Sequence, residues 1–183
     1  MTVQPGLSIS DPEAYRRNLF TLLGDRNPLD VIGDTATILA TVVRTHSPAV
    51  LRARPFAAKW TANEIIGHLI DGEWVSGYRL RVILCEDAPA ILGMNQDLWV
   101  AGLQHNHRDP SALVEMFRAM RELNLAVWRR LSPAELERTG MHNERGPESL
   151  AVMLRMLAGH DLSHLEQLAR FVDAAQQLGR APL

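Results

Sequence analysis

Residues 148–172 read ESLAVMLRMLAGHDLSHLEQLARFV, a stretch whose apolar residues recur at three- and four-residue steps. This spacing predicts an amphipathic helix that runs from about Glu148 to Leu178. The apolar members of its buried stripe are Leu150, Met153, Leu154, Leu157, Leu168 and Phe171. His160 and His164 lie on the same stripe, so we expect both imidazoles to face the core.

The rest of the chain carries similar helix signals. Capping boxes, in which a Ser or Thr precedes a Glu by three residues, occur at Ser10, Thr61 and Ser132. With the apolar periodicity, these signals predict long helices over about 28–46, 61–86 and 110–131 and short helices over about 10–23, 96–103 and 133–139. No stretch shows clean two-residue alternation, so no strand is predicted, and Gly140–Pro147 is expected to be a turn or tight loop. The fold class predicted is therefore an all-α four-helix bundle with short extra helices.

Length and charge limit the classes of protein. A chain of 183 residues fits one domain over 1–183, with a short extension over about 1–26. The net charge of -2 and the pI near 6.4 argue against a nucleic-acid partner, which usually requires a basic excess. No apolar run is long enough to span a membrane and no leader pattern is visible, so a cytoplasmic protein with no membrane partner is expected. Cys85 is the only cysteine, which excludes an intrachain disulfide and a Cys-rich zinc site.

The strongest chemical signal is the pair His160 and His164. Side chains four residues apart on a helix share a face, so both imidazoles can reach one metal ion. The pair alone is equally consistent with one solvent-facing imidazole and one hydrogen-bonded core imidazole. His68 lies in another strongly apolar helix, where a lone His is more often a core residue bonded to a carbonyl. Together the three predict a metal site with open positions, the pattern of a catalytic metal.

Other polar residues have weaker assignments. Glu64 and Asp71 flank His68 in sequence and are candidates to orient its ring, although ordinary exposed charges explain them more simply. His105 and His107 are expected to lie in a solvated loop, and His142 in the turn over 140–147.

The long segment Asp87–Pro110 has two interpretations. A loop of this length is typical of a lid over a binding site, and its polar residues could touch a substrate. The alternative is that its apolar residues only cover helix surface, and the sequence does not decide between the two.

Two segments resemble a known family. WTANEIIGHL over 60–69 is similar to the second-helix signature of the DinB-like (YfiT-like) superfamily. GPESL over 146–150 and LAGHDLSHLEQL over 157–168 are similar to the C-terminal signature of the same superfamily. Arg79 follows the first segment at a position where members often carry Arg. The resemblance extends from about Asn27 to Val172.

This resemblance implies an up-down-down-up bundle with a metal ion held by His68, His160 and His164. It also implies a homodimer and a small-molecule substrate. Some members transfer a low-molecular-weight thiol, bacillithiol or mycothiol, and many are named as metal-dependent hydrolases. Three imidazoles and water suit Zn, Ni, Fe or Mn, so the identity of the divalent ion stays open.

Three functions follow as hypotheses. The first is a metal-dependent enzyme that transfers a low-molecular-weight thiol to a small electrophile or hydrolyses a small amide or ester. The second is a non-catalytic metal- or ligand-binding bundle associated with stress, which the intact ligand set disfavours. The third is a helical DNA-binding regulator, which the pI disfavours.

Overall fold

The computed structural model describes residues 11–178, in which helices account for most of the chain. The helices are α1 (Pro12–Leu23), α2 (Pro28–Thr45), α3 (Pro48–Arg52), α4 (Ala62–Cys85), α5 (Gln96–Gly102), α6 (Pro110–Trp128), α7 (Pro133–Leu136) and α8 (Leu150–Leu178), with a 3-10 turn over His105–His107. The strands are β1 (Ala90–Ile91), β2 (Thr139–His142) and β3 (Gly146–Ser149). No helix in this range is long and apolar enough to cross a membrane.

The four long helices α2, α4, α6 and α8 form the bundle. α2 packs on α6 and α8, and α4 packs on the same two helices from the other side. α2 and α4 therefore face each other across the bundle diagonal. The all-α four-helix bundle of up-down-down-up topology, predicted from helical periodicity and the family resemblance, is confirmed.

Side-chain caps fix the starts of the helices. Thr61 and Glu64 form a complete capping box at α4, because the Thr61 hydroxyl accepts the Glu64 N–H and the Glu64 carboxylate accepts the Thr61 N–H. At α1 the cap is Asp11, whose carboxylate accepts the Ala14 N–H at 2.8 Å. The box predicted from Ser10 involves a residue outside the described range. The cap at α4 fixes the start of the helix that carries His68.

A buried ionic network joins all four long helices. Arg121 on α6 donates two hydrogen bonds to Asp161 on α8, at 2.6 and 3.1 Å, and lies 2.9 Å from Glu73 on α4. It also donates to the Ile32 carbonyl on α2 at 2.6 Å. All three charged side chains are almost fully buried, and burial raises the pKa of Glu73 above its usual value. Within a low-dielectric core each of these charges depends on its partners.

α1 packs along α8 at unusually close range. A Cβ atom added at Gly159 would lie 2.4 Å from the Leu19 carbonyl oxygen, a contact that only the absence of a side chain permits. The close approach brings Tyr15 and Leu19 of α1 next to the turn of α8 that carries His160.

The structure corrects three local predictions. The segment predicted as a turn over 140–147 is a hairpin, in which β2 pairs antiparallel with β3, and β1 adds to β2 in parallel. Arg138 anchors this hairpin to the end of α4 by donating to the Ile83 carbonyl at 2.8 Å. α8 consequently starts at Leu150 rather than near Glu148.

The third correction concerns the stretch after α2. The helix predicted over about 28–46 is followed at once by the short helix α3, which was not predicted, and whose Ser47 hydroxyl accepts the Val50 N–H at 3.3 Å.

Candidate metal centre

The bundle brings the three predicted histidines together. His68 Nε2 on α4 lies 3.1 Å from His160 Nε2 on α8, and one nitrogen from each of His68, His160 and His164 lies within 4.8 Å of the other two. Since His160 and His164 are one turn apart, α8 presents them as a pair to the single imidazole of α4. In the described part of the chain, this is the one group of three or more His, Cys, Asp or Glu side chains with such convergence.

All three imidazoles are neutral at pH 7. Burial, followed by the neighbouring histidines, holds the pKa of His68 well below its usual value. Burial and the positive charge of Arg121 lower the pKa of His160 to about 4. Burial and His160 lower the pKa of His164 to about 3. A neutral imidazole has a free lone pair, which is the form that binds a metal ion.

Gln167 orients His164. The Gln167 Oε1 atom lies 2.9 Å from His164 Nδ1, and an amide oxygen only accepts, so the proton is on Nδ1. The lone pair of His164 is therefore on Nε2. A hydrogen bond of this kind, on the ring nitrogen away from the ion, is typical of metal-binding histidines.

Trp60 covers one side of the histidine cluster. Its indole ring stacks on His164 with an angle of 17° between the planes, and it packs against His68 at 4.8 Å between centroids. The Trp60 Nε1–H donates to Asp97 of α5 at 3.1 Å. This apolar wall contributes to the burial that lowers the pKa values of His68 and His164.

A divalent metal ion fits this group of side chains. Two imidazole nitrogens about 2.1 Å from one tetrahedral ion are about 3.4 Å apart, close to the separation of His68 Nε2 and His160 Nε2. Without an ion, two neutral rings whose Nε2 atoms are this close can share only one proton between these atoms. The His68 Nδ1 atom is also buried and has no hydrogen-bond partner. Three imidazoles also leave coordination positions for water or substrate.

A cavity of about 130 Å³ opens beside the cluster. His68 and His160 form one end of it, whereas His164 does not line it. Its other walls come from α1, α4, α8, the β2–β3 hairpin and the segment before α5. Small molecules that enter this cavity therefore meet the faces of His68 and His160.

The long segment Asp87–Pro110 contributes to the cavity at only two points, Met94 and Gln96. Its later part is fastened to α4: the Thr61 hydroxyl bonds Asn106 at 2.7 Å, and the Asn63 side chain donates to the His105 carbonyl at 2.7 Å. Leu92, Leu98 and Leu103 of this segment are exposed, so its apolar residues do not simply cover helix surface, and a role as a lid stays a prediction.

His105 corrects the expectation of a solvated loop. Its side chain is buried and its Nε2 lies 2.9 Å from Asp71 Oδ2, while His107 is exposed as expected. Gly67 makes the contact possible, because a Cβ at this position would lie 2.1 Å from His105 Cγ. Asp71 is likewise buried rather than an exposed charge.

Neither Glu64 nor Asp71 orients His68. Glu64 is taken up by the capping box and by Arg54, and Asp71 by His105. His142 lies on β2 with its ring buried, not in an open turn. Gln167 is the orienting residue that the sequence analysis missed, and the signal available was its position three residues after His164.

The fold and the site define a helical-bundle protein in which three converging histidines, a group that could hold a metal ion, lie beside a small cavity. The comparisons with known proteins agree with this class. The model of the DinB superfamily matches residues 34–168, and the chain belongs to this superfamily.

Several curated relatives share the matched region. A protein of Oceanobacillus iheyensis is 28% identical over 109 residues, which are 60% of this chain and 63% of the relative. A protein of Bacillus mycoides is 26% identical over 105 residues, 57% of this chain and 60% of the relative. Both are provisionally named metal-dependent hydrolases. The matches thus span less than two thirds of the relatives' length.

Among solved structures, YfiT of Bacillus subtilis has the same fold. The TM-score is 0.75 at 19% identity, and the superposition covers 98% of this chain and 95% of YfiT. YfiT is described as a four-helix bundle of unusual topology and provisionally as a metal-dependent hydrolase.

Proposed function

We propose that this chain is a metal-dependent enzyme in which His68, His160 and His164 hold a divalent ion and a small molecule reacts in the adjoining cavity. The observation that carries the proposal is the convergence of three neutral imidazoles, two of which, His68 and His160, line that cavity. A protein that used the bundle only as a scaffold would bury hydrophobic side chains here, since a buried imidazole nitrogen without a hydrogen-bond partner, such as His68 Nδ1, is costly.

A bound divalent ion supplies Lewis acidity, which lowers the pKa of a thiol or water beside it and polarises a carbonyl. The protein's own residues prepare the site. Gln167 keeps the proton of His164 on Nδ1, and Trp60 excludes water from two of the rings. The cavity holds the second reactant next to His68 and His160, which line it.

The cavity lining favours transfer of a low-molecular-weight thiol. Glu148 is the only carboxylate that lines the cavity among the described residues, and Arg145 binds it at 2.6 and 2.8 Å, so it is not free to accept a proton. A thiol with a pKa of about 8.5 ionises more readily than water at about 16, and a bound divalent ion would lower both values. In the reaction the thiol proton passes to solvent, sulfur bonds to the electrophilic carbon, and the leaving group departs with its electron pair.

Hydrolysis of a small amide or ester is the second candidate. The observation that favours it is the name given to the curated relatives. It requires a proton acceptor for the attacking water, which solvent or buffer would have to provide at this cavity.

We also propose that the protein is a homodimer. The supporting observation is an exposed aromatic patch, formed by Trp74 and Tyr78 of α4, each more than half exposed. Trp74 stacks on Tyr78 at 15° between the planes, which gives a flat apolar surface on α4. An exposed surface of this kind is typical of a protein–protein interface.

The test compares the metal-loaded protein with the His164→Ala variant. Thiol transfer is followed with bacillithiol, mycothiol or cysteine and chlorodinitrobenzene, and hydrolysis with nitrophenyl acetate. Elemental analysis of each preparation gives the metal content. The Gln177→Ala variant, changed at an exposed position of α8, is the control.

We expect the wild type and the control to turn over thiol and electrophile, and the His164→Ala variant to lose both metal and activity. Equal activity of wild type and His164→Ala would exclude the ion as the catalyst. Metal binding by the wild type without turnover of either class would support the non-catalytic binding protein instead.

A further inference from the structure

One face of α4 connects the histidines to the far end of the cavity. His68, Gly72, Ser76 and Arg79 all line it and follow one another at steps of three or four residues. Arg79 is three turns beyond His68, about 16 Å along the axis. Side chains on a helix point toward its N-terminus, so the guanidinium extends back from its Cα toward the histidine end. Gly72 has no side chain to block the path between them.

Arg79 has no anionic partner. Its Nη2 donates to the Leu92 carbonyl, whereas its Nε–H is buried and makes no hydrogen bond. No carboxylate of the described residues lies within ion-pair distance of it. Burial, and then the positive charge of Arg145, lower the pKa of Arg79 to about 10. An unpaired, partly desolvated guanidinium is costly unless a ligand supplies the charge.

The other charges at this end of the cavity cancel. Arg145 and Glu148 form a two-bond ion pair, and although burial opposes it, the bonds from Arg145 hold the pKa of Glu148 below its usual value. Arg79 is therefore the one charged lining residue without an ion-pair partner among the described residues, although the carboxylates of Glu148 and Glu144 act on it from a distance and raise its pKa. Tyr15 lines the same space, and burial raises the pKa of its phenol to about 12, so it stays a neutral hydrogen-bond donor.

We propose that Arg79 binds a carboxylate of the substrate, so that the enzyme acts on a small carboxylate-bearing molecule whose reacting group lies at the His68 and His160 end. The inference rests on the proposed function, because it treats the cavity as the substrate site. A single carboxylate matches the one lining charge that has no ion-pair partner, and a guanidinium binds a carboxylate with strong, directional hydrogen bonds. A phosphate monoester, with nearly two negative charges, would leave one of them uncompensated.

The test measures binding, not turnover. Calorimetry gives the affinity of 3-mercaptopropionate against 3-mercaptopropanol and of benzoate against benzamide, pairs in which an uncharged group replaces the carboxylate. Phenyl phosphate tests whether the site prefers a doubly charged ligand. Both thiol ligands are measured with the metal-loaded protein, and the benzoate pair also with the metal-free protein. Arg79→Gln is the principal variant, and Arg44→Gln, an exposed Arg on α2, is the matched control.

We expect wild type and Arg44→Gln to prefer the acid over the neutral compound, and Arg79→Gln to lose about 10- to 100-fold of the acid's affinity with little change for the neutral one. Arg79→Lys, which keeps the charge, should retain part of the preference for the acid. This result would show that the loss in Arg79→Gln does not come from misfolding. If only 3-mercaptopropionate binds more tightly than its neutral counterpart, the carboxylate that Arg79 binds belongs to the thiol substrate. If benzoate binds more tightly than benzamide, the carboxylate belongs to the electrophile.

Equal affinity for acid and neutral compound in the wild type, or an acid preference that survives in Arg79→Gln, would overturn the proposal. Tighter binding of phenyl phosphate than of benzoate would replace the carboxylate by a dianion. Benzoate binding by the metal-free protein requires no catalysis, so it can be measured even if the proposed reaction does not occur. The two proposals can therefore fail independently.

Discussion

Replacing Arg121 by Met removes the only cation from the network at the centre of the bundle. Two carboxylates then stay buried, Glu73 and Asp161, with Asn124 and Thr35 as the remaining hydrogen-bond donors. Breaking a buried ion pair by removing one partner costs about 3–5 kcal/mol, because the other charge is left without compensation. Met fills most of the volume of the Arg side chain, so the loss is mainly electrostatic.

The assay is urea unfolding of the metal-free protein, followed by circular dichroism, with a thermal scan alongside. A loss of 3–5 kcal/mol in a chain of this size corresponds to a decrease of roughly 6–20 °C in the melting temperature. Arg118→Met on the same helix is the control. Arg118 makes only a surface ion pair with Glu115, with 3.6 Å between the charged atoms, so its loss costs about 1 kcal/mol or less. A comparable, small loss in both variants would refute the reasoning that Arg121 supports the fold.

Three further predictions concern the site, the cavity and the assembly. Gln167→Leu frees the ring of His164 and lowers metal affinity about 10- to 100-fold in a chelator competition, while Gln177→Leu leaves it unchanged; equal affinities would contradict the orienting role. In Tyr78→Phe, Tyr15 is the only tyrosine, and its ultraviolet titration should have a midpoint near pH 12. Because the folded-state pKa of Tyr15 exceeds the unfolded value, burial of the neutral phenol contributes fully to the free energy of unfolding below about pH 10, and this contribution is lost as the pH rises toward 12. A midpoint near pH 10 would exclude burial of the phenol. Sedimentation should show a dimer at micromolar concentration, and a monomer would contradict the role of the exposed aromatic patch.

Local sequence was sufficient to predict the long helices and the positions of the three histidines on them. Helical periodicity placed His160 and His164 on the buried stripe of α8, and His68 on the apolar surface of α4. Convergence of these rings then follows from the packing of the two helices, which a bundle of four amphipathic helices requires. That they bind a metal ion stays a prediction.

Contacts between distant residues decided the parts that the sequence analysis missed. The strands are only two to four residues long, too short to show alternation, and β1 joins β2 from about fifty residues away. His105 is buried because Asp71 and the bare backbone at Gly67 receive it. A glycine inside an apolar helix was the one available signal, since such a residue often marks the close approach of another segment.

The histidine end of the cavity and the walls that enclose it are encoded in different parts of the chain. α4 and α8 supply the histidines, whereas α1 and the hairpin supply Tyr15 and Arg145. Mutations in α1 or the hairpin can therefore reshape what the cavity admits while the histidine cluster is inherited unchanged. An engineer could use the same division by exchanging α1 between homologues, provided that Gly159 is kept so that the new helix can approach α8 as closely.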